Sequence, residues 1–326
     1  MTSGSDRSWP GVAVVLPVIN EEKHLRPAVQ SVLDQDYPGT LRIVLALGPS
    51  KDRTDKVAEE LAADARVRLV RSPTGRTPDS LNLAIAASDE PIVARVDGHS
   101  VLPQSYLTTA VELLERTGAD NVGGLMSARG ANDFERAVAA AMTSKLGVGN
   151  APFHVGGAEG PADTVYLGVF RRSALDRVGG YDTRFSRAQD WEMNYRIRST
   201  GGEVWFSPDL SVSYRPRGTV SALARQYFHY GRWRRQVMRH HPSSVNFRYL
   251  APPATVLGVL AGIGAAAAGQ LVGLVLPGGY LLLVTAGSVG VGRGLPARSR
   301  LMLPGVLLTM HMSWGVGFLS SWRAGG

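Results

Sequence analysis

Short apolar runs alternate with helix-periodic segments over the first hundred residues. The runs predict four buried strands, at Val12–Leu16, Leu41–Leu47, Val67–Val70 and Ile92–Val96. Apolar residues between them recur every three or four positions, which predicts helices, the first of them capped by Asn20. Strands that alternate with helices indicate an α/β fold with a Rossmann-like, mostly parallel sheet flanked by helices.

The pattern becomes less regular after Asp97. It predicts a helix over Pro103–Glu115, a strand over Val122–Met126, a helix over Phe134–Ser144 and a strand over Thr164–Phe170. Between the last two lies a glycine-rich segment, Gly147–Gly160. Its composition favours a loop that closes over a ligand, with a simple linker as the alternative.

The C-terminal part contains apolar tracts of membrane-spanning length. No charged residue occurs from Tyr249 to Gly292, and His311 is the only titratable side chain from Leu301 to Trp322. Because one helical span needs roughly 20 apolar residues, the first tract can hold two spans and the second tract one. The turn inside the first tract is expected near Gly269-Gln270 or at Pro277-Gly278-Gly279.

Charge separates the same two regions. All 27 acidic residues lie at or before Asp209, whereas twelve of the 35 basic residues follow it, all of them arginine. A pI near 10 would suit a nucleic-acid partner, but these arginines are interleaved with apolar tracts, which favours a membrane. We therefore expect a membrane partner and no nucleic acid.

Arginine placement predicts an orientation. Clusters precede the first span (Arg232–Arg248) and separate the second from the third (Arg293–Arg300), so both lie on one side, which the positive-inside rule makes cytoplasmic. Arg323 is left on the other side. Met1–Pro10 lacks an apolar signal region and the chain has no cysteine, which fits a cytoplasmic head. We expect a multi-pass protein of a bacterial plasma (inner) membrane.

Three domains follow from these patterns: a catalytic domain over 1–214, a basic membrane-interface segment over 215–248 and a transmembrane domain of about three helices over 249–326. In the middle segment, Arg225, Phe228, Arg232 and Arg235 can share one helix face. Such a face suits anionic headgroups, and an ordinary solvated basic face is the alternative.

Candidate chemistry begins where the fourth strand ends, at Asp97-Gly98-His99. Ligands in open α/β sheets collect beyond the carboxyl ends of strands, so these side chains could hold a divalent cation against phosphate oxygens. An Asp-Gly pair taken alone is also typical of a plain turn. The motifs elsewhere in the chain favour the metal site.

Five motifs occur in a characteristic order: Pro17-Val-Ile-Asn20-Glu21, Ser50-Lys-Asp52-Arg-Thr54, Gly75-Arg76 to Asn82, Asp97-Gly-His99 and Gln189-Asp190-Trp-Glu192. With them, residues 11–235 resemble the family 2 inverting glycosyltransferases of the GT-A fold. The resemblance is closest to the membrane-anchored bacterial exopolysaccharide enzymes of the succinoglycan glucosyltransferase type.

The resemblance implies a role for each motif on the donor side. Pro17 and Glu21 would line the nucleoside pocket, Asp52 would lie near the base or ribose, Arg76 and Asn82 would lie by the diphosphate, and Asp97 with His99 would bind Mg²⁺ or Mn²⁺. Two departures stand out. Leu47-Gly48 replaces the usual acidic pair after the second strand, and His99 replaces the second acid of the metal motif.

Asp190 is the candidate general base, because a carboxylate opposite the leaving group can accept the proton of the incoming hydroxyl. Its alternative role is a charge at a helix N-terminus. Glu192 is expected to orient an arginine or contact the acceptor. Gln226 with Arg232-Trp233 is similar to an acceptor-side motif of processive synthases, but five residues intervene instead of two, so processivity is not expected.

The leading hypothesis is an inverting, metal-dependent glycosyltransferase. It would move a hexose from a nucleotide-sugar, a UDP-sugar by preference, to a polyprenyl-linked or other lipid-linked acceptor in cell-surface polysaccharide synthesis. A sugar nucleotidyltransferase is one alternative, although the first strand is not followed by a glycine-rich phosphate loop. A non-catalytic membrane scaffold with the same fold is the other.

Overall fold

A computed structural model describes residues 8–321, so Arg323 lies outside the described residues. Two compact units are present. The first contains the residues up to Ser127 together with Gly156–Ser213, and the second contains Ala128–Val155 together with the residues from Tyr214 onward.

Strands and helices alternate along much of residues 8–321. In chain order, the strands are β1 (Val12–Val18), β2 (Leu41–Leu47), β3 (Val67–Arg71), β4 (Ile92–Arg95), β5 (Asn121–Ala128), β6 (Gly160–Pro161), β7 (Tyr166–Arg171) and β8 (Val204–Tyr214). The helices are α1 (Leu25–Leu33), α2 (Thr54–Leu61), α3 (Thr77–Ala86), α4 (Tyr106–Thr117), α5 (Asp133–Met142), α6 (Lys145–Val148), α7 (Pro152–Val155), α8 (Arg172–Val178), α9 (Gln189–Ser199), α10 (Val220–His240), α11 (Ala251–Ala267), α12 (Val275–Val291) and α13 (Ala297–Ser320).

One mixed sheet organises the first unit, in the strand order β3-β2-β1-β4-β7-β5-β8-β6. The first four strands run parallel, and β7 runs antiparallel to both β4 and β5. Val12, Val14 and Leu16 of β1 are completely buried, as a central strand covered on both faces requires. The predicted α/β class and the four N-terminal strands are confirmed.

Two local features differ from the sequence prediction. Asn20 has a φ of 55°, and α1 begins only at Leu25, so Asn20 forms a turn instead of capping that helix. Strand β8 was not predicted, because Ser207-Pro208-Asp209 interrupts its apolar alternation. β8 pairs with strands on the far side of the sheet, and a local sequence pattern does not predict such long-range pairing.

The segment 128–155, which the sequence assigns to the catalytic domain, packs in the second unit. Helix α5 lies against α13, and the buried Ser299 hydroxyl donates to Asp133 at 3.0 Å. Gly147 is required in this segment, since a Cβ at this position would lie 2.0 Å from the Ala141 carbonyl oxygen. The expected glycine-rich loop therefore carries two short helices, α6 and α7.

Three helices of the second unit are long and apolar enough to cross a membrane: Phe247–Ala267, Leu271–Val291 and Ala297–Ser320. The turn between the first two lies at Gly269, which adopts a φ of 86°, while Pro277 lies inside the first turn of α12. Of the two turns that the sequence allows, the structure selects Gly269-Gln270.

Helix α10 packs closely on α13. A Cβ on Gly231 would lie 1.9 Å from the Trp314 carbonyl oxygen, and one on Gly317 would lie 2.0 Å from the Phe228 carbonyl oxygen. Arg235 donates to the Phe318 carbonyl at 3.1 Å. The face that includes Phe228 and Arg235 thus contacts protein, and only the remainder of the predicted basic face is available to headgroups.

Candidate active site

The loops that follow the parallel strands lie at one edge of the sheet, and the motif residues lie in or beside these loops. The loop after β1 and the loop after β2 are joined directly. The Asn20 amide nitrogen of the main chain donates to the Ser50 hydroxyl at 3.0 Å, and the Lys51 main-chain nitrogen donates to the Asn20 side-chain oxygen at 2.8 Å. Pro17 precedes this junction as the penultimate residue of β1.

Asp52 strengthens the same junction. Its carboxylate accepts from the main-chain nitrogen of Glu22 at 3.2 Å and from that of Thr54 at 3.0 Å, and also from the Thr54 hydroxyl. The bond from the Thr54 hydroxyl lowers the pKa of Asp52. Asp52 therefore shapes the wall of the expected nucleoside pocket through hydrogen bonds within the protein.

Two glycines explain a departure from the family pattern. A Cβ on Gly48 would lie 2.8 Å from the Gly75 Cα, and Gly75 itself has a φ of 60°. The loops after β2 and β3 thus approach too closely for a side chain at position 48. An acidic residue there, as in the usual pattern, would collide with this backbone.

Asp97 and Asp190 converge on one arginine that sequence reasoning missed. Arg95, the last residue of β4, donates to the Asp97 carboxylate at 2.9 Å, and its other terminal nitrogen forms an ion pair with the Asp190 carboxylate. Ninety-odd residues apart in sequence, the two aspartates face each other across a single guanidinium. The sequence signal was a charged residue in an otherwise apolar strand.

Arg95 is only 6% exposed, whereas the Asp190 side chain is 40% exposed. Burial opposes the positive charge of Arg95, but the nearby Asp97 carboxylate more than compensates, so the pKa of Arg95 is raised. Arg95 is therefore a permanently charged, buried cation in contact with Asp97 and Asp190. Burial also raises the pKa of the nearby Tyr181 phenol to about 12, so that it stays neutral.

The His99 side chain contacts Glu21, and its predicted role as a metal ligand stays a prediction. The His99 Nδ1 lies 2.8 Å from a Glu21 carboxylate oxygen. Among residues 8–321, no three His, Cys, Asp or Glu side chains come together as a metal cage. Mg²⁺ and Mn²⁺ sites in nucleotide enzymes often use one or two protein ligands plus substrate phosphates, which the Asp97 region fits.

Arg76 and Asn82 both hold the loop that leads to Asp190. Asn82 bonds the main chain of Tyr181 through both ends of its amide, at 2.7 and 2.8 Å. Arg76 donates to the Ser186 hydroxyl at 2.9 Å and to the Thr183 carbonyl. Asn82 is therefore bonded within the protein, whereas the Arg76 side chain is 44% exposed and also forms an ion pair with Asp79 at 3.9 Å.

Helix α9 presents Asp190 in its first turn. Ala188 immediately before it has a left-handed φ of 60°, an unfavourable conformation for a residue with a Cβ. Trp191 and Tyr195 stack on this helix with ring centroids 5.6 Å apart. Glu192 is completely buried and accepts hydrogen bonds from Arg196 on both oxygens at 2.7 Å, which is one of its two expected roles. A contact with the acceptor stays a prediction.

The remaining motif residues lie on α10 of the second unit. Gln226 donates to the Tyr214 hydroxyl at 2.9 Å and to the Tyr230 hydroxyl at 2.7 Å. Arg232 and Trp233 are half-buried. Their predicted contact with the acceptor or the membrane interface stays a prediction.

Comparison with known proteins identifies the family. Residues 13–179 match the sequence profile of Glycosyl transferase family 2. The succinoglycan biosynthesis protein ExoA of Rhizobium meliloti (strain 1021) is 30% identical over 320 residues, which cover 95% of this chain and 93% of that protein. The chain belongs to glycosyl transferase family 2.

More distant similarities support the same fold. A Methanococcus voltae enzyme, dolichyl N-acetyl-alpha-D-glucosaminyl phosphate 3-beta-D-2,3-diacetamido-2,3-dideoxy-beta-D-glucuronosyltransferase, is 22% identical over 68% of this chain and 71% of its own. The structure of the mannosyltransferase PcManGT from Pyrobaculum calidifontis, in complex with GDP-Man and Mn2+, superposes with a TM-score of 0.65 at 20% identity, covering 98% of this chain and 92% of that one. The chain is therefore a family 2 glycosyltransferase with a GT-A fold.

Proposed function

We propose that this glycosyltransferase moves a hexose, with inversion, from a nucleotide-sugar to a polyprenyl-linked or other lipid-linked acceptor in cell-surface polysaccharide synthesis. The name of one relative, in succinoglycan biosynthesis, supports polysaccharide synthesis, and the name of another, acting on a dolichyl phosphate-linked sugar, supports the lipid-linked acceptor. Three helices of spanning length would keep the enzyme at a membrane, where such acceptors are found.

The observation that carries the proposal is the Asp97-Arg95-Asp190 arrangement. Inverting transfer needs a donor diphosphate on one side of the sugar and a base on the other. Asp97 belongs to the donor side and Asp190 to the acceptor side, and Arg95 contacts both carboxylates. One buried, rigid cation therefore sets the position of the base relative to the donor.

The reaction uses these residues in order. The donor binds with its diphosphate near Asp97 and Arg76, while the loops linked by Asn20 and Asp52 form the nucleoside wall. Asp190 accepts the proton as the acceptor hydroxyl attacks the anomeric carbon. The bond from that carbon to the diphosphate breaks, and Arg76 stabilises the negative charge that develops on the leaving group.

Asp97 and His99 are the residues that would hold Mg²⁺ or Mn²⁺ together with the diphosphate, and the cation would supply further stabilisation of the leaving group. In neutral His99, a proton on Nδ1 would be donated to Glu21 while Nε2 keeps a lone pair. Metal-binding histidines are commonly oriented by a carboxylate in this manner. Glu21 is thus assigned a positioning role in addition to lining the pocket.

The central test replaces the proposed base. Asp190→Asn in detergent-purified enzyme should reduce sugar transfer by at least about 10³-fold while donor affinity changes less than about threefold. Transfer is followed by release of nucleoside diphosphate, and donor affinity by calorimetry. Asp176→Asn, at an exposed position on α8, is the matched control and should retain full activity.

Undiminished transfer by Asp190→Asn would disprove the assignment of the base. The donor is found in the same assay by comparing UDP-sugars, which the family resemblance favours, with GDP-mannose, the donor named for the solved mannosyltransferase. Each is tested with Mg²⁺, with Mn²⁺ and with chelator. Activity that persists in chelator would contradict metal dependence.

A further inference from the structure

Helix α13 contacts both ends of the hairpin that α11 and α12 form. Near the start of α13, the Arg300 Cγ lies 2.9 Å from the position that a Cβ on Gly292 would take, directly after α12. Near the end of α13, a Cβ on Gly315 would lie 2.6 Å from the Pro252 carbonyl oxygen, in the first turn of α11. Arg300 and Gly315 are therefore the positions at which α13 meets the end of α12 and the start of α11.

These two contacts constrain the direction of α13 in a membrane. A hairpin of two spans enters and leaves the bilayer at the same surface, so the start of α11 and the end of α12 lie at that surface. The helix from Arg300 to Gly315 is about 22 Å long. If α13 also crossed the membrane, Gly315 would lie most of the way through a hydrocarbon core of about 30 Å, far from the start of α11.

Charged helices contact α13 at both of its ends. Helix α5 lies at its start, where the Ser299 hydroxyl donates to Asp133. Helix α10 lies near its end, where Arg235 donates to the Phe318 carbonyl and its guanidinium carbon lies 5.4 Å from the Phe318 ring centroid. All three candidate spans found in residues 8–321 follow α10 in the chain. Helix α10 therefore lies at the surface where α11 enters the membrane, and the end of α13 lies beside it.

The middle of α13 contacts a polar segment. The His311 Nε2 donates to the Leu146 carbonyl of α6 at 2.9 Å, and its Nδ1 lies 3.1 Å from the Tyr280 hydroxyl. Lys145, the residue before Leu146, is exposed. Beside the middle of a spanning helix, this ammonium group would face hydrocarbon, which is costly. Beside a helix at the membrane surface, it would face water.

Arginine placement favours the same arrangement. With three spans, Arg323 lies on the opposite side of the membrane from every other arginine that follows Asp209. With α11 and α12 as the spans, all twelve of these arginines lie on one side. The positive-inside rule favours that distribution.

One face of α13 remains exposed and apolar. Leu301, Met302 and Val316 are 82%, 42% and 45% exposed, whereas Leu303 and Leu307 are completely buried. Leu301 and Val316 are separated by about four helical turns, so they lie on the same side of the helix. A helix at the boundary of headgroups and acyl chains exposes such an apolar stripe.

We propose that α13 does not cross the membrane but lies along its surface, with this apolar stripe against the lipid. Length and apolarity alone predict a third span, but the contacts of α13 with both ends of the hairpin oppose it. The chain then crosses the bilayer twice, through α11 and α12, and α13 ends on the side of α10. This inference rests on the membrane insertion assumed in the proposed function.

Cysteine labelling tests the side on which α13 ends, because the chain has no cysteine of its own. Ser320→Cys, at the exposed last residue of α13, is compared in the full-length protein with Gln270→Cys, between α11 and α12, and Leu295→Cys, between α12 and α13. An impermeant maleimide is applied to intact cells and to lysates. We expect Ser320→Cys to label like Leu295→Cys and opposite to Gln270→Cys, whichever side of the membrane carries the head.

Fluorescence quenching tests the depth of α13. A bimane probe is attached at Leu301→Cys, Thr309→Cys or Val316→Cys in phosphatidylcholine vesicles whose acyl chains carry bromine at a shallow or a deep position. We expect all three probes to be quenched more strongly by the shallow bromine, and to the same extent. Leu282→Cys, at a 71% exposed position in the middle of the second candidate span, is the matched control and should be quenched more strongly by the deep bromine.

The inference would be overturned if Ser320→Cys labelled like Gln270→Cys, or if Thr309→Cys were quenched from the same depth as Leu282→Cys, since a spanning α13 places Thr309 near the bilayer centre. Equal labelling of Ser320→Cys, Gln270→Cys and Leu295→Cys would overturn the spanning hairpin and the inference with it. Neither measurement contains a nucleotide-sugar. A failure here therefore concerns the membrane arrangement alone, whereas a failure of the proposed reaction appears in the Asp190→Asn assay.

Discussion

At the scale of single residues, the buried Arg95 determines the geometry of the site. Its position between Asp97 and Asp190 predicts that Arg95→Gln lowers kcat about 10²-fold, with a smaller change in the donor KM, because the base loses its orientation. Arg95→Lys keeps the positive charge but cannot bond both carboxylates as the guanidinium does. Its kcat should therefore lie between those of wild type and Arg95→Gln. Steady-state kinetics at saturating acceptor measures kcat and the donor KM separately.

Arg172→Gln is the control for a loss of stability that leaves catalysis unchanged. Arg172 lies in the same unit and bonds the Glu90 carbonyl at 2.7 Å and the Ser88 hydroxyl at 2.9 Å, with no carboxylate among these partners. Its replacement should lower the melting temperature without lowering kcat per folded enzyme. If Arg95→Gln behaved in the same way, Arg95 would be a structural residue only.

At the scale of elements, the glycines of α10 and α13 permit close packing. Gly231→Ala places a methyl group against the Trp314 carbonyl and should destabilise the second unit by about 1–3 kcal/mol, the usual cost of overpacking. Gly305→Ala on α13 meets open space and should be neutral or slightly stabilising, because alanine favours the helix. Thermal unfolding in detergent compares the two, and equal melting temperatures would contradict the close-packed interface.

The link between α5 and the segment after β8 should depend on pH. The Arg215 side chain, bonded to Glu135, lowers the pKa of that carboxyl from its usual 4.5. A lowered folded-state pKa means that this stabilisation is complete above pH 4.5 and is lost as the pH falls through the folded-state value. The melting temperature of Glu135→Gln should therefore fall less than that of wild type when the pH is reduced from about 6 to about 3.5.

Asp176→Asn, at an exposed position on α8, provides the comparison for that pH series. It should follow the wild-type curve, because the Asp176 carboxyl is not bonded to Arg215. A Glu135→Gln curve that coincides with wild type over the whole range would mean that the ion pair contributes nothing to pH-dependent stability.

At the scale of the whole molecule, the absence of cysteine allows a clean test of topology. Gln270→Cys lies in the turn between the first two apolar helices, and Leu295→Cys lies between the second and third. With a cytoplasmic head, an impermeant maleimide should label Gln270→Cys in intact cells and label Leu295→Cys only after lysis. Asp89→Cys, in the first unit, should behave like Leu295→Cys, and the reverse pattern would contradict the predicted orientation.

Sequence alone determined the features that depend on local periodicity and composition. The N-terminal strands, the three long apolar helices and the order of the motifs were all readable, because buried strands and apolar helices need nearly continuous apolar runs. The asymmetry of charge about Asp209 was equally evident. These features sufficed to predict the α/β fold and the family.

Only the tertiary structure decided which side chains meet. It placed Arg95 between Asp97 and Asp190, joined Asn82 to the loop before the candidate base, and brought residues 128–155 into the unit that contains the apolar helices. The only local signal was the charge of Arg95 in an apolar strand, and it does not identify Asp190 as a partner, because Asp190 is distant in sequence and a charged residue in a strand has many possible partners. Long-range packing selects one of them, since a buried guanidinium is stable only where carboxylates meet it.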